Sequence, residues 1–321
     1  MNAAPDSDFT PLRLVSRRRL ADDIHEFVLA RDDGGDLPPF TAGSHLRLRV
    51  PNGEVRCYSL CNAPSERDRY VVAVKRDPGG RGGSMSLVDD VKAGDEIAVS
   101  EPHNAFPFEA RPGGVLFIAG GIGVTPLLSM ARHLIETDGG PFRFVYLTRS
   151  PETTAYREEL SGDGFRGRVT IHHDGGDPAR AFDLWPLLER PKGQVYCCGP
   201  RFLMDAVRDM TGHWSTSAVH FEDFGGVSAA PRPDDVAFDV RLARSGRVVP
   251  VAADVTILDA LRAAGIKVSS SCESGTCGSC RVGVLSGEVD HRDLALSDEE
   301  KSSAIMICVS RSRGGELVLD L

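Results

Sequence analysis

The sequence predicts a multidomain chain of β and α/β classes: an antiparallel β-barrel or sandwich, an α/β domain with a parallel sheet, and a small C-terminal module. Three observations predict it. Short runs alternate apolar and polar residues up to about Phe108, strand-like and helix-like runs alternate from about Gly113 to Phe224, and four cysteines gather towards the C-terminus, three of them on one loop. At about 150 residues per domain, 321 residues make two or three domains, and three textures favour three.

In the first segment Leu46, Leu48 and Val50 alternate with Arg47 and Arg49, the period of a half-buried strand. Tyr70–Lys75 is a second strand, followed by a glycine-rich run over 79–84. Short strands at this spacing suit an antiparallel barrel. In the second segment Val115–Ala119, Phe142–Leu147, Val169–His172, Val195–Cys198 and Ala218–Phe221 read as buried strands, with helices over Pro126–Ile135 and Phe202–Met210 between them. That order makes βαβ units and a parallel sheet. Small residues and prolines over 225–234 read as a linker. Beyond it come a hairpin at Ser245-Gly246, a helix begun by Thr256 and Asp259 with Gly265 at its end, and a final strand over 316–321. The expected domains are 1–110, 111–225, a linker over 226–235, and 236–321.

Composition excludes several classes. Lys and Arg number 37 against 46 Asp and Glu, a net charge of -9, which leaves no evident basic face for nucleic acid. No run approaches the ~20 apolar residues of a membrane span. The N-terminal residues lack the apolar core of a secretory signal. Eight cysteines, clustered as they are, do not make a secreted disulfide framework. A cytoplasmic protein is expected, one whose cysteines need a chemical explanation.

Cys272, Cys277 and Cys280 form C-x4-C-x2-C, and Cys308 supplies a fourth thiol. This spacing is that of plant-type [2Fe–2S] clusters, in which four thiolates complete two sulfide-bridged tetrahedral irons. Small residues between the thiols let the loop wrap closely. Zinc also accepts four cysteines, but its knuckles usually pair two C-x2-C units. Of the remaining cysteines, Cys61 and Cys197 read as small buried hydrophobes.

Strand 115–119 runs into Gly120, Gly121, Ile122, Gly123, Val124, Thr125 and Pro126. A glycine turn leading into a helix N-terminus can hold phosphate oxygens, with Thr125 expected as N-cap and Pro126 as the first helical residue. The loop is not G-x-G-x-x-G, and a tight turn without ligand is the alternative. Cys198, Gly199 and Pro200 end another strand on the same sheet edge, where ligands of open α/β sheets bind. In the first segment Arg56, Cys57, Tyr58 and Ser59 lie on one strand, with Arg56 and Tyr58 on a common face. Such a pair can hold a phosphorylated aromatic ligand, although exposed arginines and tyrosines are also ordinary strand residues. His172 and His173 are adjacent on a strand and face opposite ways, so one metal site does not use both.

Taken together and in this order, the Arg-x-Tyr-Ser strand, the Gly120–Pro126 loop and Cys198-Gly-Pro200 resemble the ferredoxin–NADP reductase superfamily. With the plant-type cysteine loop at the C-terminus, nearly the whole chain resembles the phthalate dioxygenase reductase family. That resemblance implies an antiparallel flavin-binding β-barrel, an α/β nicotinamide-binding domain and a C-terminal β-grasp [2Fe–2S] ferredoxin domain. It implies FMN and NADH as further cofactors. Arg56, Cys57, Tyr58 and Ser59 would contact the flavin, with Ser59 near its reactive ring nitrogen. Ala73, Val74 and Lys75 would line the ring, and Gly82, Gly83 and Ser84 would meet the phosphate. Gly120, Gly121, Gly123, Val124, Thr125 and Pro126 would receive the dinucleotide pyrophosphate, and Thr148 and Arg149 would lie beside the dinucleotide. Cys198 would sit near the nicotinamide, with Gly199 and Pro200 beside it. Phe224 would stack on the flavin or pack at a domain junction. Ser59 and Cys198 would flank hydride transfer; Cys272, Cys277, Cys280 and Cys308 would hold the cluster.

The resemblance implies a reductase passing electrons from NADH through FMN and the cluster to a Rieske-type oxygenase acting on an aromatic acid or ether; nothing in the sequence demands more than a monomer. Alternatives are a reductase feeding a cytochrome P450 or another oxygenase, a carrier fed by another reductase, and a non-catalytic module binding zinc.

Overall fold

The computed structural model describes residues 9–80, 82–224, 232, 234–270, 275, 278–293, 295–297 and 299–321. These residues fall into two compact units, one running up to Asp223 and one from Phe224 onward. Of the expected linker, residues 226–231 and 233 lie outside the described residues, as do Cys272 and Cys277.

The first unit opens with an antiparallel sheet: β1 (Thr10–Ala21), β2 (Ile24–Ala30), β3 (Ser44–Arg49), β4 (Val55–Ser59) and β5 (Tyr70–Lys75), then helix α1 (Gly83–Asp90), β6 (Glu96–Val99) and β7 (His103–Asn104). The strand order is β4-β3-β6-β1-β2-β5, with β7 on β3. A bridge between Leu60 and Val72 joins the end of β4 back to β5, which closes the barrel. Leu46 and Leu48 point inward and are fully buried, as the alternation of β3 requires. Helix α1 begins within the glycine-rich run. Gly82 adopts a left-handed φ of 86° as its N-cap, and Leu87 and Val88 bury its inner face.

The same unit continues with β8 (Val115–Gly120), α2 (Val124–Glu136), β9 (Phe142–Thr148), α3 (Arg157–Leu160), β10 (Val169–His173), α4 (Trp185–Leu188), β11 (Gln194–Cys198), α5 (Arg201–Met210) and β12 (Val219–Glu222). The sheet is parallel throughout, in the order β10-β9-β8-β11-β12. The chain returns to either side of β8, so strand order reverses there and a crevice opens at the carboxyl ends. A 3-10 turn over Gly121–Gly123 precedes α2, so the helix begins earlier than expected. Gly123, not Thr125, is the N-cap, because the glycines take the helical turn first; the Thr125 hydroxyl instead donates to the Ile122 carbonyl at 3.1 Å.

The second unit contains β13 (Phe238–Leu242), β14 (Val248–Val251), α6 (Ile257–Ala263), β15 (Arg281–Ser286), β16 (Val289–Asp290), β17 (Ala304–Met306), β18 (Arg311–Ser312) and β19 (Leu317–Leu319). Its main sheet runs β14-β13-β19-β15-β17, with β13 and β19 parallel. The hairpin turns at Gly246, and Thr256 caps α6 by accepting from the Asp259 amide at 3.0 Å. Arg292 and Arg311 are buried: Arg292 pairs with Asp235 and Asp290, and Arg311 donates to the carbonyls of Val255, Val236 and Ala252. Among the described residues no helix is long and apolar enough to cross a membrane.

Phe117, fully buried on β8, meets the rings of Phe108, Phe142, Phe144 and Tyr196. Replacing it with Ala is expected to cost the first unit about 3–5 kcal/mol through the lost burial and the cavity left. A fall in the urea midpoint, followed by near-ultraviolet circular dichroism, checks this; an unchanged midpoint would contradict it.

Candidate functional site

Strand β4 holds the Arg-x-Tyr-Ser residues in register with β3, Ser59 opposite His45 and Tyr58 opposite Leu46. Ser59 is buried. The Tyr58 hydroxyl is also enclosed and has no hydrogen-bond partner within the described protein, and burial raises its pKa to about 12. An enclosed hydroxyl without a partner suits an external polar ligand. Arg56 pairs with Glu54 and donates to the Val55 carbonyl at 2.9 Å. It also lies across the start of α1, where a Cβ on Gly83 would come 2.7 Å from its Nε. The Arg56–Glu54 pair thus sits beside the N-terminus of α1, whose dipole and first-turn amides suit a phosphate. Ala73 and Val74 are buried on β5, and Lys75 is exposed.

At the crevice of the parallel sheet, two glycine loops touch. A Cβ on Gly120 would lie 2.6 Å from Pro200 Cδ and 2.8 Å from Leu203 Cδ2, and one on Gly123 would overlap the Cys198 carbonyl. Gly199 approaches Gly120 equally closely. These glycines bring the β8–α2 and β11–α5 turns together, while Gly121, at a left-handed φ of 54°, faces open space. The loop therefore has room for pyrophosphate at the head of the thirteen-residue α2. The Gly121–Gly123 turn also packs against β5.

Cys198 ends β11, fully buried, opposite Ala119 on one side and Glu222 on the other. Burial and then the Glu222 charge push its thiol well above the ordinary range, so it is neutral. Cys61 and Cys197 are pushed by burial to about 12. Thr148, buried at the end of β9, lies 2.7 Å from the Thr154 hydroxyl and 2.8 Å from His173 Nδ1; Arg149 is exposed. His172 turns instead to the Arg180 carbonyl. Phe224 is 43% exposed.

In the second unit Cys280 and Cys308 are buried with their sulfurs 3.0 Å apart, too far for a disulfide. Gly275 and Gly278 take left-handed φ of 75° and 78°, and a Cβ on Gly275 would lie 2.7 Å from Val309 Cγ2. Two converging buried thiols, with Cys280 just after the left-handed Gly278, fit a thiolate-ligated cluster. Among the described residues no three potential ligands gather as a metal site, and Cys272 and Cys277 lie outside those residues.

Comparison with known proteins bears on these sites. Residues 11–108 match the oxidoreductase FAD-binding domain model, 117–163 the oxidoreductase NAD-binding domain model, and 240–313 the 2Fe-2S iron-sulfur cluster binding domain model. A phthalate dioxygenase reductase from Burkholderia cepacia is 52% identical over 323 aligned positions covering all of both chains. The chain belongs to the phthalate dioxygenase reductase family. It is an oxidoreductase with flavin-binding, NAD-binding and [2Fe–2S]-binding domains. Within this similarity, a tert-butanol monooxygenase / tert-amyl alcohol desaturase reductase subunit from Aquincola tertiaricarbonis is 43% identical, covering 97% of this chain and 95% of that one. The solved structure of a phthalate dioxygenase reductase, described as modular for electron transfer from pyridine nucleotides to [2Fe-2S], superposes with a TM-score of 0.82 at 51% identity over all of both chains. A type IV self-sufficient cytochrome P450 monooxygenase shares the fold at TM-score 0.79 and 37% identity, over 98% of this chain and 41% of that one.

The sequence pattern did not reveal α1 or Glu222 beside Cys198. For this family member, native alkylation with iodoacetamide at pH 8 should leave Cys61, Cys197 and Cys198 unlabelled: at a pKa near 12 only about one thiol in 10⁴ of Cys61 or Cys197 is ionised, and burial pushes the Cys198 thiol up as well. Rapid labelling of Cys198, read by peptide mass spectrometry, would contradict its neutral, enclosed state.

Proposed function

We propose that this chain is the NADH-dependent reductase component of an oxygenase system, carrying electrons from NADH through FMN to its [2Fe–2S] cluster and on to a Rieske-type oxygenase. The observation that carries the reading is the packing of the Gly121–Gly123 turn against β5, because it sets the candidate dinucleotide loop beside the strand proposed to line the flavin. When bound, a flavin accepts a hydride as two electrons and releases them singly, matching a two-electron donor to a one-electron cluster.

The chain's own residues then have separable tasks. Arg56, with the start of α1 at Gly82, Gly83 and Ser84, neutralises the flavin phosphate. Cys57, Tyr58 and Ser59 would border the ring, with the Ser59 hydroxyl available to hydrogen-bond its reactive nitrogen. Ala73, Val74 and Lys75 form the adjoining wall. Gly120, Gly121, Gly123, Val124, Thr125 and Pro126 receive the pyrophosphate, supported by the α2 dipole. Thr148 and Arg149 border the dinucleotide, and Gly199 and Pro200 shape the nicotinamide end. The Cys198 thiol, buried at the end of β11, would lie beneath the nicotinamide end and, held neutral by burial, would supply no nucleophile to trap it. Cys272, Cys277, Cys280 and Cys308 ligate the cluster. Domain limits of 1–110, 111–225 and 236–321 assign one cofactor to each, in a cytoplasmic monomer.

An oxygenase partner is supported by the relatives' names, which include phthalate 4,5-dioxygenase and vanillate O-demethylase reductases; an aromatic acid or ether as the partner's substrate follows the same names. The likeness to the self-sufficient cytochrome P450 favours a second reading, in which a haem oxygenase is the acceptor.

Two variants and a cofactor assay test the proposal. Ser59→Ala should retain flavin but slow its bleaching by NADH on the order of ten-fold, the scale of one lost hydrogen bond of ~1.4 kcal/mol. Cys308→Ser should lose the cluster absorbance and keep NADH-driven flavin bleaching; a variant that retains the cluster would contradict the ligand assignment. Chromatography of the flavin released by acid should give FMN, and FAD would overturn that part.

A further inference from the structure

Helix α2 carries two polar groups to which the reading above gives no task. Ser129 and Arg132 are three residues apart and so share one face of the helix. The fully buried Ser129 hydroxyl donates to the Asn62 carbonyl at 2.8 Å, and Arg132 Nη1 donates to the Cys61 carbonyl at 2.7 Å. The rest of the guanidinium is braced: Nε and Nη2 donate to Glu159 at 2.8 and 2.7 Å, and the group lies 5.6 Å from the Tyr156 ring centre. A planar donor fork used on a carboxylate and a carbonyl at once is directional in a way apolar packing is not.

The two carbonyls belong to the corner joining the proposed flavin strands. Cys61 and Asn62 follow directly after Ser59 and Leu60 at the end of β4. The Cys61 amide donates to the Val71 carbonyl at 2.8 Å, and the Asn62 side chain accepts from the Val71 amide at 3.0 Å and donates to the Arg69 carbonyl at 3.0 Å. Gripping this corner therefore grips β4 and β5 together. The N-terminal end of α2, about 8 Å from Ser129 and about 12 Å from Arg132 at 1.5 Å per residue, presents the Gly121–Gly123 turn and Val124. One stiff rod thus touches the flavin strands with its middle and the dinucleotide loop with its head.

We propose that Ser129 and Arg132, braced by Glu159, are positioning residues that fix the dinucleotide loop relative to the flavin strands, and hence the approach of nicotinamide to flavin. The inference rests on the flavin and nicotinamide assignments made above. Leu127, Leu128, Met130 and Ala131 of α2 share one buried apolar cluster with residues of both the barrel and the parallel sheet, and such non-directional contacts tolerate small slides. The two carbonyl hydrogen bonds remove that freedom. Hydride transfer needs near-contact geometry, and a misplacement of about 1 Å costs on the order of 100-fold.

The test compares the wild-type holoprotein with Ser129→Ala/Arg132→Met and with Arg132→Lys. Expected for the double variant are unchanged flavin content, single-turnover flavin bleaching at saturating NADH slowed on the order of 10- to 100-fold, KM within about three-fold, and faster amide exchange over residues 60–73. Arg132→Lys should recover part of the rate, since an ammonium still reaches the Cys61 carbonyl. If the double variant does not fold, Glu159→Gln, which loosens the brace and leaves the carbonyl bond, is read in the same way. Bleaching within about two-fold of wild type, alongside a lowered melting temperature, would reduce the clasp to packing and overturn the proposal. A wild-type protein without flavin would overturn the parent assignment instead, and the exchange over 60–73 would still report on the clasp itself.

Discussion

The seating of α2 against the corner at Cys61 and Asn62 is the contact on which the first unit's site depends. Ala42, Cys61, Val71, Ala73 and Phe106 of the barrel side share one buried core with Val124, Leu127, Leu128, Met130 and Ala131 of α2. Barrel and parallel sheet are therefore not separately closed bodies linked by a hinge at this point. The approach is close enough that a Cβ on Gly43 would overlap the Phe106 carbonyl and come 3.0 Å from Met130 Cε. Apolar burial supplies the adhesion, and a few carbonyl hydrogen bonds supply its direction.

Steric closeness then determines where ligand can go. Gly120, Gly123 and Gly199 have their missing side chains filled by each other's loops, so they build the crevice rather than line it. Gly121 is the member left facing open space. Cys198 lies beneath, neutral because nothing near it stabilises a thiolate and Glu222 opposes one. The same economy appears in the second unit, where left-handed Gly275 and Gly278 precede Cys280 and the buried Arg292 and Arg311 tie Asp235 and distant backbone carbonyls into the fold.

Much of this was legible because the physics was local. Buried parallel strands are continuous apolar runs, and β8, β9 and β11 fall where such runs occur. The alternation at Leu46 and Leu48 specified a barrel strand, and C-x4-C-x2-C lies within the residues that match the 2Fe-2S cluster binding domain model. Other features depend on contacts that no local pattern carries. Helix α1 begins at a glycine pair that reads as loop, and Arg56 lying over Gly83 is a tertiary fact. Thr125 reads as a cap until Gly121–Gly123 form their own turn. Ser129 and Arg132 are polar residues on a helix, which ordinarily mark a solvent face, and their partners lie 67 and 71 residues away. The roles of Arg56 to Ser59 came from resemblance, since a strand with arginine and tyrosine on one face is common.

The central claim is that one polypeptide joins a two-electron donor to a one-electron cluster through a flavin. Anaerobic titration with NADH, followed at the flavin and cluster absorbances, tests it most directly. A two-electron flavin and a one-electron cluster together predict bleaching of both bands, complete at about 1.5 NADH per chain. An end point near one equivalent with the cluster band unchanged, or no bleaching at all, would contradict the account.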